Sequence, residues 1–107
     1  MKVDFSAKLL DIKGEEIKDG NDVLTLGAAS CTALLATFPG EQDLDGASKV
    51  KRFRLAEKAV KGSIQELTIE DVAELKRLLG KAFGPLVVGR AYDIIEPPTP
   101  ETNSANI

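Results

Sequence analysis

The chain has no histidine and no tryptophan, a single cysteine, and only 5% aromatic residues. Each shortage removes a class of chemistry. Without histidine there is no imidazole to activate a serine or cysteine nucleophile or to complete the common zinc ligand sets. Cys31, alone, forms no internal disulfide. Its neighbours Ala28, Ala29 and Leu34 assign it to the interior as a small apolar side chain. No carboxylate spacing matches a calcium loop. No stretch approaches the roughly 20 apolar residues of a membrane span, and the start, M-K-V-D-F, lacks the apolar run of a secretory signal. A net charge of −3 and a pI near 5.0 deny the molecule the overall basic character of a nucleic-acid binder. No catalytic, cofactor-binding or metal-ligating set can be named. The expectation is a non-enzymatic protein with no cofactor and no membrane association, located in the cytoplasm.

What is present is ordinary globular material. Hydrophobic residues are 43% and charged residues 29% of 107, enough for one domain with a modest, mostly aliphatic core. The expected class is α+β, an N-terminal β-hairpin packed on about four short helices. The domain is expected over 1–96, and the polar, proline-rich stretch 97–107 is expected to be a disordered tail. Residues 3–12 begin with alternation, Val3, Phe5 and Ala7 against Asp4, Ser6 and Lys8, which predicts a strand. Leu9 and Leu10 disturb it. A turn at 11–15 and a short strand at 16–18 complete the hairpin, and 19–22 is a second turn cluster.

Four helices follow by their caps and periodicity. Thr25 caps residues 26–37, where Leu26, Ala29, Ala33, Leu34 and Ala36 can be buried. Residues 41–45 are an acidic loop. Residues 47–61 start near Asp45 or Gly46 and stop at Gly62, with an apolar stripe of Val50, Phe53, Ala56 and Val60 and with Leu55 to one side. An extended connector at 63–67 leads to Thr68. Thr68 caps residues 69–82, with Glu70 and Asp71 in the first turn, where the helix dipole favours negative charge. Ile69, Val72, Leu75, Leu79 and Ala82 make the apolar face there, with Leu78 on its flank. Gly84-Pro85 ends that helix and begins the next, 85–96, because a residue before proline is pushed out of the α region and proline suits a first helical position.

That last helix is apolar almost all round. Leu86, Val87, Val88, Ala91, Tyr92, Ile94 and Ile95 leave only Arg90, Asp93 and Glu96 as a wet edge. A helix apolar on most of its surface must be covered on most of it, and a chain of this size has little to spare. The expectation is self-association, or binding to another protein, through Leu86, Val87, Val88, Ala91, Tyr92 and Ile95.

The second surface of interest is basic. Lys49, Lys51, Arg52, Arg54, Lys58 and Lys61 face Glu57 alone, and Lys51, Arg54, Lys58 and Lys61 share one side by their spacing. Such a row suits an acidic partner or nucleic acid. It suits better a solvated face paired with Glu41, Asp43 and Asp45 or with Glu15 and Glu16, and no aromatic is interleaved for base stacking. The run G-P-L-V-V-G-R at 84–90 lacks the Lys-Ser/Thr of a phosphate loop and follows a helix, so it is not one.

The residues L-T-L-G at 24–27, A-L-L-A at 33–36, K-x-x-R-F-R-L-A at 49–56, L-T-I-E-D-V at 67–72 and G-K-A-F-G-P-L-V-V-G-R-A at 80–91 resemble a group of small tailed-phage and prophage proteins. The resemblance covers most of residues 3–96. It implies a phage-encoded, non-enzymatic role in a bacterial cytoplasm and transfers no site residues. A narrower form of the protein-interaction expectation is an assembly factor or chaperone for phage structural proteins. The alternative is a nucleic-acid-binding or regulatory protein using residues 47–61.

Overall fold

A computed structural model describes residues 1–97; the tail expected at 97–107 lies outside these except for Pro97. The described chain is α+β. In order come β1 (Lys2–Asp4), β2 (Lys18–Asp19), β3 (Asp22–Val23), α1 (Leu26–Leu35), α2 (Gly46–Val60), β4 (Ile64–Glu66), α3 (Ile69–Ala82) and α4 (Pro85–Ile95). The strands form two antiparallel pairs, β1–β4 and β2–β3.

Three helices begin on side-chain caps. The Thr25 hydroxyl accepts from the Ala28 N–H at 3.2 Å, the Asp45 carboxylate from Ser48 at 2.8 Å and the Thr68 hydroxyl from Asp71 at 3.0 Å. Each satisfies a donor that the first helical turn leaves free. α4 has no side-chain cap and begins on Pro85.

The N-terminal hairpin is more divided than its sequence suggests. The side chain of Asp4 accepts from the Ser6 N–H at 3.0 Å and turns the chain after residue 4. β1 therefore pairs with the distant β4, Lys2 opposite Glu66 and Asp4 opposite Ile64. The turn at 11–15 closes with the Asp11 N–H on the Glu15 carbonyl at 2.7 Å. The second turn cluster joins β2 to β3. Val3 and Phe5 are buried, as the alternation requires.

α1 packs on α2 and α3, and α4 packs on α3 and β1. One core joins Val3, Phe5, Leu9 and Leu26 to Leu55, Leu75, Leu78, Leu79, Ala91 and Ile95. In α3 the buried face is turned slightly from the expected one: Leu78 is fully enclosed and Ile69 is exposed. Among the described residues no helix is long and apolar enough to cross a membrane.

The larger correction is in α2. Its buried residues are Arg52, Leu55, Ala56 and Ala59, whereas Val50, Phe53 and Val60 stand outside. Two faces of this helix compete, one carrying Val50, Phe53 and Val60, the other Arg52, Leu55, Ala56 and Ala59. Where α1 crosses the end of α2, the second face is favoured because α1 presents Gly27 to Ala59. A Cβ there would lie 2.7 Å from the Ala59 carbonyl oxygen and 3.0 Å from that of Phe5. Backbones this close leave no room for the Val60 side chain between them.

Candidate interaction surface

α4, the expected interface, is largely enclosed by its own chain. Ala91 and Ile95 are in the core, and Val87, Tyr92 and Ile94 pack against it. The Tyr92 hydroxyl donates to the Lys76 carbonyl at 2.6 Å, and the Lys76 ammonium sits 4.9 Å from the Tyr92 ring centre. Arg90, assigned to the wet edge, instead donates to the Leu10 and Asp11 carbonyls at 3.0 and 2.7 Å. It thereby pins the 11–15 turn against α4. The expected contact set is corrected accordingly: Ala91 and Ile95 cannot meet a partner, Val87, Val88 and Tyr92 are half-buried, and only Leu86 is exposed, at 38%. The N-terminal segment and α3 cover what composition alone left uncovered.

Open apolar side chains lie elsewhere: Met1, Ile12, Ile64 and Ile69 are exposed on separate segments, and four more sit on two packed helices. Leu35 (61%), Val50 (52%), Phe53 (48%) and Val60 (73%) are exposed on α1 and α2. These two helices are antiparallel neighbours. Gly27 abuts Ala59 near one end, the Cys31 thiol lies 3.6 Å from the Ala56 carbonyl in the middle, and Leu35 and Lys49 line one hollow at the other. On α1, Ala28, Cys31 and Leu35 recur at helical spacing along the outer side of this seam. On α2, Val50, Phe53 and Val60 do the same. A second hollow, lined by Ala28, Cys31 and Val60, opens at the Gly27 end. Cys31 is half-buried rather than interior, and burial raises its thiol pKa above the ordinary value.

The basic residues of α2 divide by role. Arg52, counted with the solvated charges, is 4% exposed. Its guanidinium donates to both carboxylate oxygens of Glu41 at 2.9 and 2.7 Å, and its Nε to Glu74 at 3.2 Å. Glu74 also accepts from Arg77 at 2.8 Å. This clamp ties the 36–45 loop to α2 and α3. Sequence reasoning missed it; the available signal was an arginine on the small-residue face with Ala56 and Ala59. Of the expected anionic-partner face, Lys51, Arg54 and Lys61 are exposed and Lys58 is half-buried. Arg54 pairs with Glu57 at 2.9 Å and lies 5.5 Å from the Phe53 ring centre, and Lys58 donates to the Glu66 carbonyl at 3.3 Å. Lys49, Lys51 and Lys61 have no ion pair among the described residues. Two of the acidic residues are paired away from this row, Glu41 on Arg52 and Glu16 on Lys8 at 2.9 Å, and Asp45 caps α2.

The clamp sets a pH dependence. The hydrogen bonds from Arg52, with lesser help from the Phe38 N–H, the Arg52 charge and Lys81, lower the Glu41 pKa from 4.5 to about 2, against an opposing effect of burial. A depressed carboxylate stabilises the fold fully above its unfolded pKa and loses that contribution as pH falls toward the folded value. The urea midpoint should therefore fall between pH 4.5 and about 2. Glu41→Gln should start lower at neutral pH and fall less across that window. Parallel curves for the two proteins would assign the acid sensitivity to other carboxylates.

Among the described residues no group of three or more His, Cys, Asp or Glu is placed to hold a metal ion. Comparisons with protein-family models, curated proteins and solved structures find no match for this chain.

Proposed function

We propose that this protein acts by binding another protein, without catalysis, and that the exposed seam of α1 and α2 is the contact surface. The supporting observation is that Leu35, Val50, Phe53 and Val60 are about half or more exposed on one side of two packed helices. Clustered apolar exposure marks interaction surfaces, whereas single exposed residues do not. A phage assembly factor or chaperone, a narrower version of this reading, would use such a surface on another phage or host protein.

A photo-crosslinking amino acid in place of Phe53, with the full chain expressed in a bacterial host, tests the reading. Discrete protein adducts should form there and not at Lys13, an exposed position in the 11–15 turn. Equal yields at both positions would contradict it. Self-association through α4 retains Leu86 and the half-buried Val87 and Val88 in its support. It requires a scattering mass that rises with concentration and that Leu86→Asp suppresses; a constant monomer mass removes it. Nucleic-acid binding retains Lys51 and Lys61. It requires salt-dependent retardation of DNA or RNA that weakens in the Arg54→Glu, Lys58→Glu double variant.

A further inference from the structure

We infer that the α1–α2 seam takes an acidic, amphipathic helix from a different protein, one whose apolar edge covers Leu35, Phe53 and Val60 and whose carboxylates meet the cations of α2. This rests on the protein-interaction reading above and names the partner's chemistry.

The shape argument comes from the two rows. Ala28, Cys31 and Leu35 on one helix and Val50, Phe53 and Val60 on the other flank the seam, which has a hollow at each end, one lined by Leu35 and Lys49 and the other by Ala28, Cys31 and Val60. From Val50 to Val60 the row on α2 runs about 15 Å at the helical rise, the length of about three turns of an apposed helix. Two packed helices presenting such rows match helix-in-groove recognition, which reads apolar anchors at i, i+3 or i+4, and i+7.

The charge argument selects the occupant. α1 carries no charged residue, so the electrostatics of the surface come chiefly from α2 and its end. On the seam side of α2 stand Lys49 and Arg54, with Lys61 just past its end, and Arg54 is paired with Glu57; Lys51 instead lines a hollow with Glu70 and Glu74 of α3, and Lys58 donates to the Glu66 carbonyl, both away from the seam. Arg52 is withdrawn into the clamp. Lys49 lines the same hollow as Leu35, and Arg54 lies over Phe53, so cations rim the apolar rows themselves. A second copy using the same surface about a two-fold axis would bring this cationic helix against itself, where like charges oppose pairing. Nucleic acid would satisfy the cations but offers no aliphatic surface for Leu35 and Val60. An acidic helix with an apolar edge satisfies both.

The probe is a fluorescein-labelled, acetylated peptide of about 18 residues with leucine on one helical face and glutamate elsewhere, long enough to cover the three turns. Its twin carries lysine for glutamate. Anisotropy titration of the full chain at roughly 50 mM salt should show the glutamate peptide binding at least about tenfold tighter than the twin, with the gap narrowing at roughly 300 mM as charges are screened. Phe53→Asp and Val60→Asp should each weaken it by about tenfold or more, and Leu86→Asp by less than about twofold, because truncating central apolar anchors costs most. All three mutated side chains are exposed in the free protein, so circular dichroism should report an unchanged fold; Val60→Ser replaces Val60→Asp, and Phe53→Ser replaces Phe53→Asp, where the aspartate variant does not fold.

Equal binding of the two peptides, or binding indifferent to Phe53 and Val60, overturns the inference. Other outcomes overturn it and also tell its failure from that of the broader reading. If neither peptide binds, yet scattering mass rises with concentration and Phe53→Asp abolishes the rise, the occupant is a second copy and the protein-interaction reading survives. If only an oligonucleotide binds, with sensitivity to Arg54→Glu and Lys58→Glu but not to Phe53→Asp, both readings fall.

Discussion

Gly27→Ala is expected to be among the most damaging single-methyl changes in the molecule. It should cost about 3 kcal/mol, the upper end of overpacking penalties, and lower the unfolding midpoint by about 15 °C for a domain of this size. The added carbon would stand 2.7 Å from the Ala59 oxygen and 3.0 Å from the Phe5 oxygen. Both are backbone atoms and cannot rotate aside, and the Gly27 N–H is already bonded to Phe5 at 2.9 Å. Relief would require α2 or the segment after β1 to move away from α1. Alanine's better helix propensity recovers only about 1 kcal/mol. Gly89 is the internal control. It also lies within a helix, but nothing stands within 4 Å of its would-be Cβ. There the same substitution should be neutral or stabilising by up to about 1 kcal/mol. Thermal denaturation of both variants checks the contrast. A Gly27→Ala protein as stable as wild type would mean that α1 and α2 are farther apart than described.

Arg52→Ala should rank beside it. Removing one partner of a buried ion pair costs more than the pair contributes, because carboxylates are left desolvated and uncompensated. A fully enclosed pair loses about 3 to 5 kcal/mol on such truncation. Glu74 keeps 26% of its side chain exposed and retains Arg77, so about 2 to 3 kcal/mol is expected here after allowing for that solvent screening. Arg52→Lys should rescue little, since an ammonium cannot reproduce two parallel bonds to Glu41 and a third to Glu74. The informative measurement is the double-mutant cycle by urea denaturation. Glu41→Ala should harm the wild type clearly and the Arg52→Ala protein far less. Additive effects would show that the two side chains do not act as a unit.

Several elements were legible because local chemistry decides them. Thr25, Asp45 and Thr68 each cap the helix that follows, and Gly84-Pro85 separates α3 from α4, since those rules involve only residues a few positions apart. What failed depended on a distant neighbour. Phe53 and Val60 are larger than Ala56 and Ala59 and so look like the buried face of α2. At the Ala59 end the choice was made by Gly27, about thirty positions earlier, whose missing side chain lets the two backbones meet. Arg52 reads as one more surface charge until Glu41 and Glu74 are brought to it from a loop and another helix. α4 looked too apolar to hide because periodicity counts the apolar residues of a helix and not those that come to cover it. Arg90 shows the same limit: its partners are the carbonyls of Leu10 and Asp11, which sequence spacing cannot place. The apolar surface left open on α4 is thus smaller than its composition suggests, because Ala91 and Ile95 lie in the core.

The central claim is that partners meet α1 and α2 and not α4. The most direct measurement is a nitrogen-15 chemical-shift titration of the full chain with the glutamate–leucine peptide. The account predicts shifts clustered on residues 28–35 and 49–61, with residues 86–96 unmoved. Shifts concentrated on 86–96, or spread evenly over the surface, would contradict it.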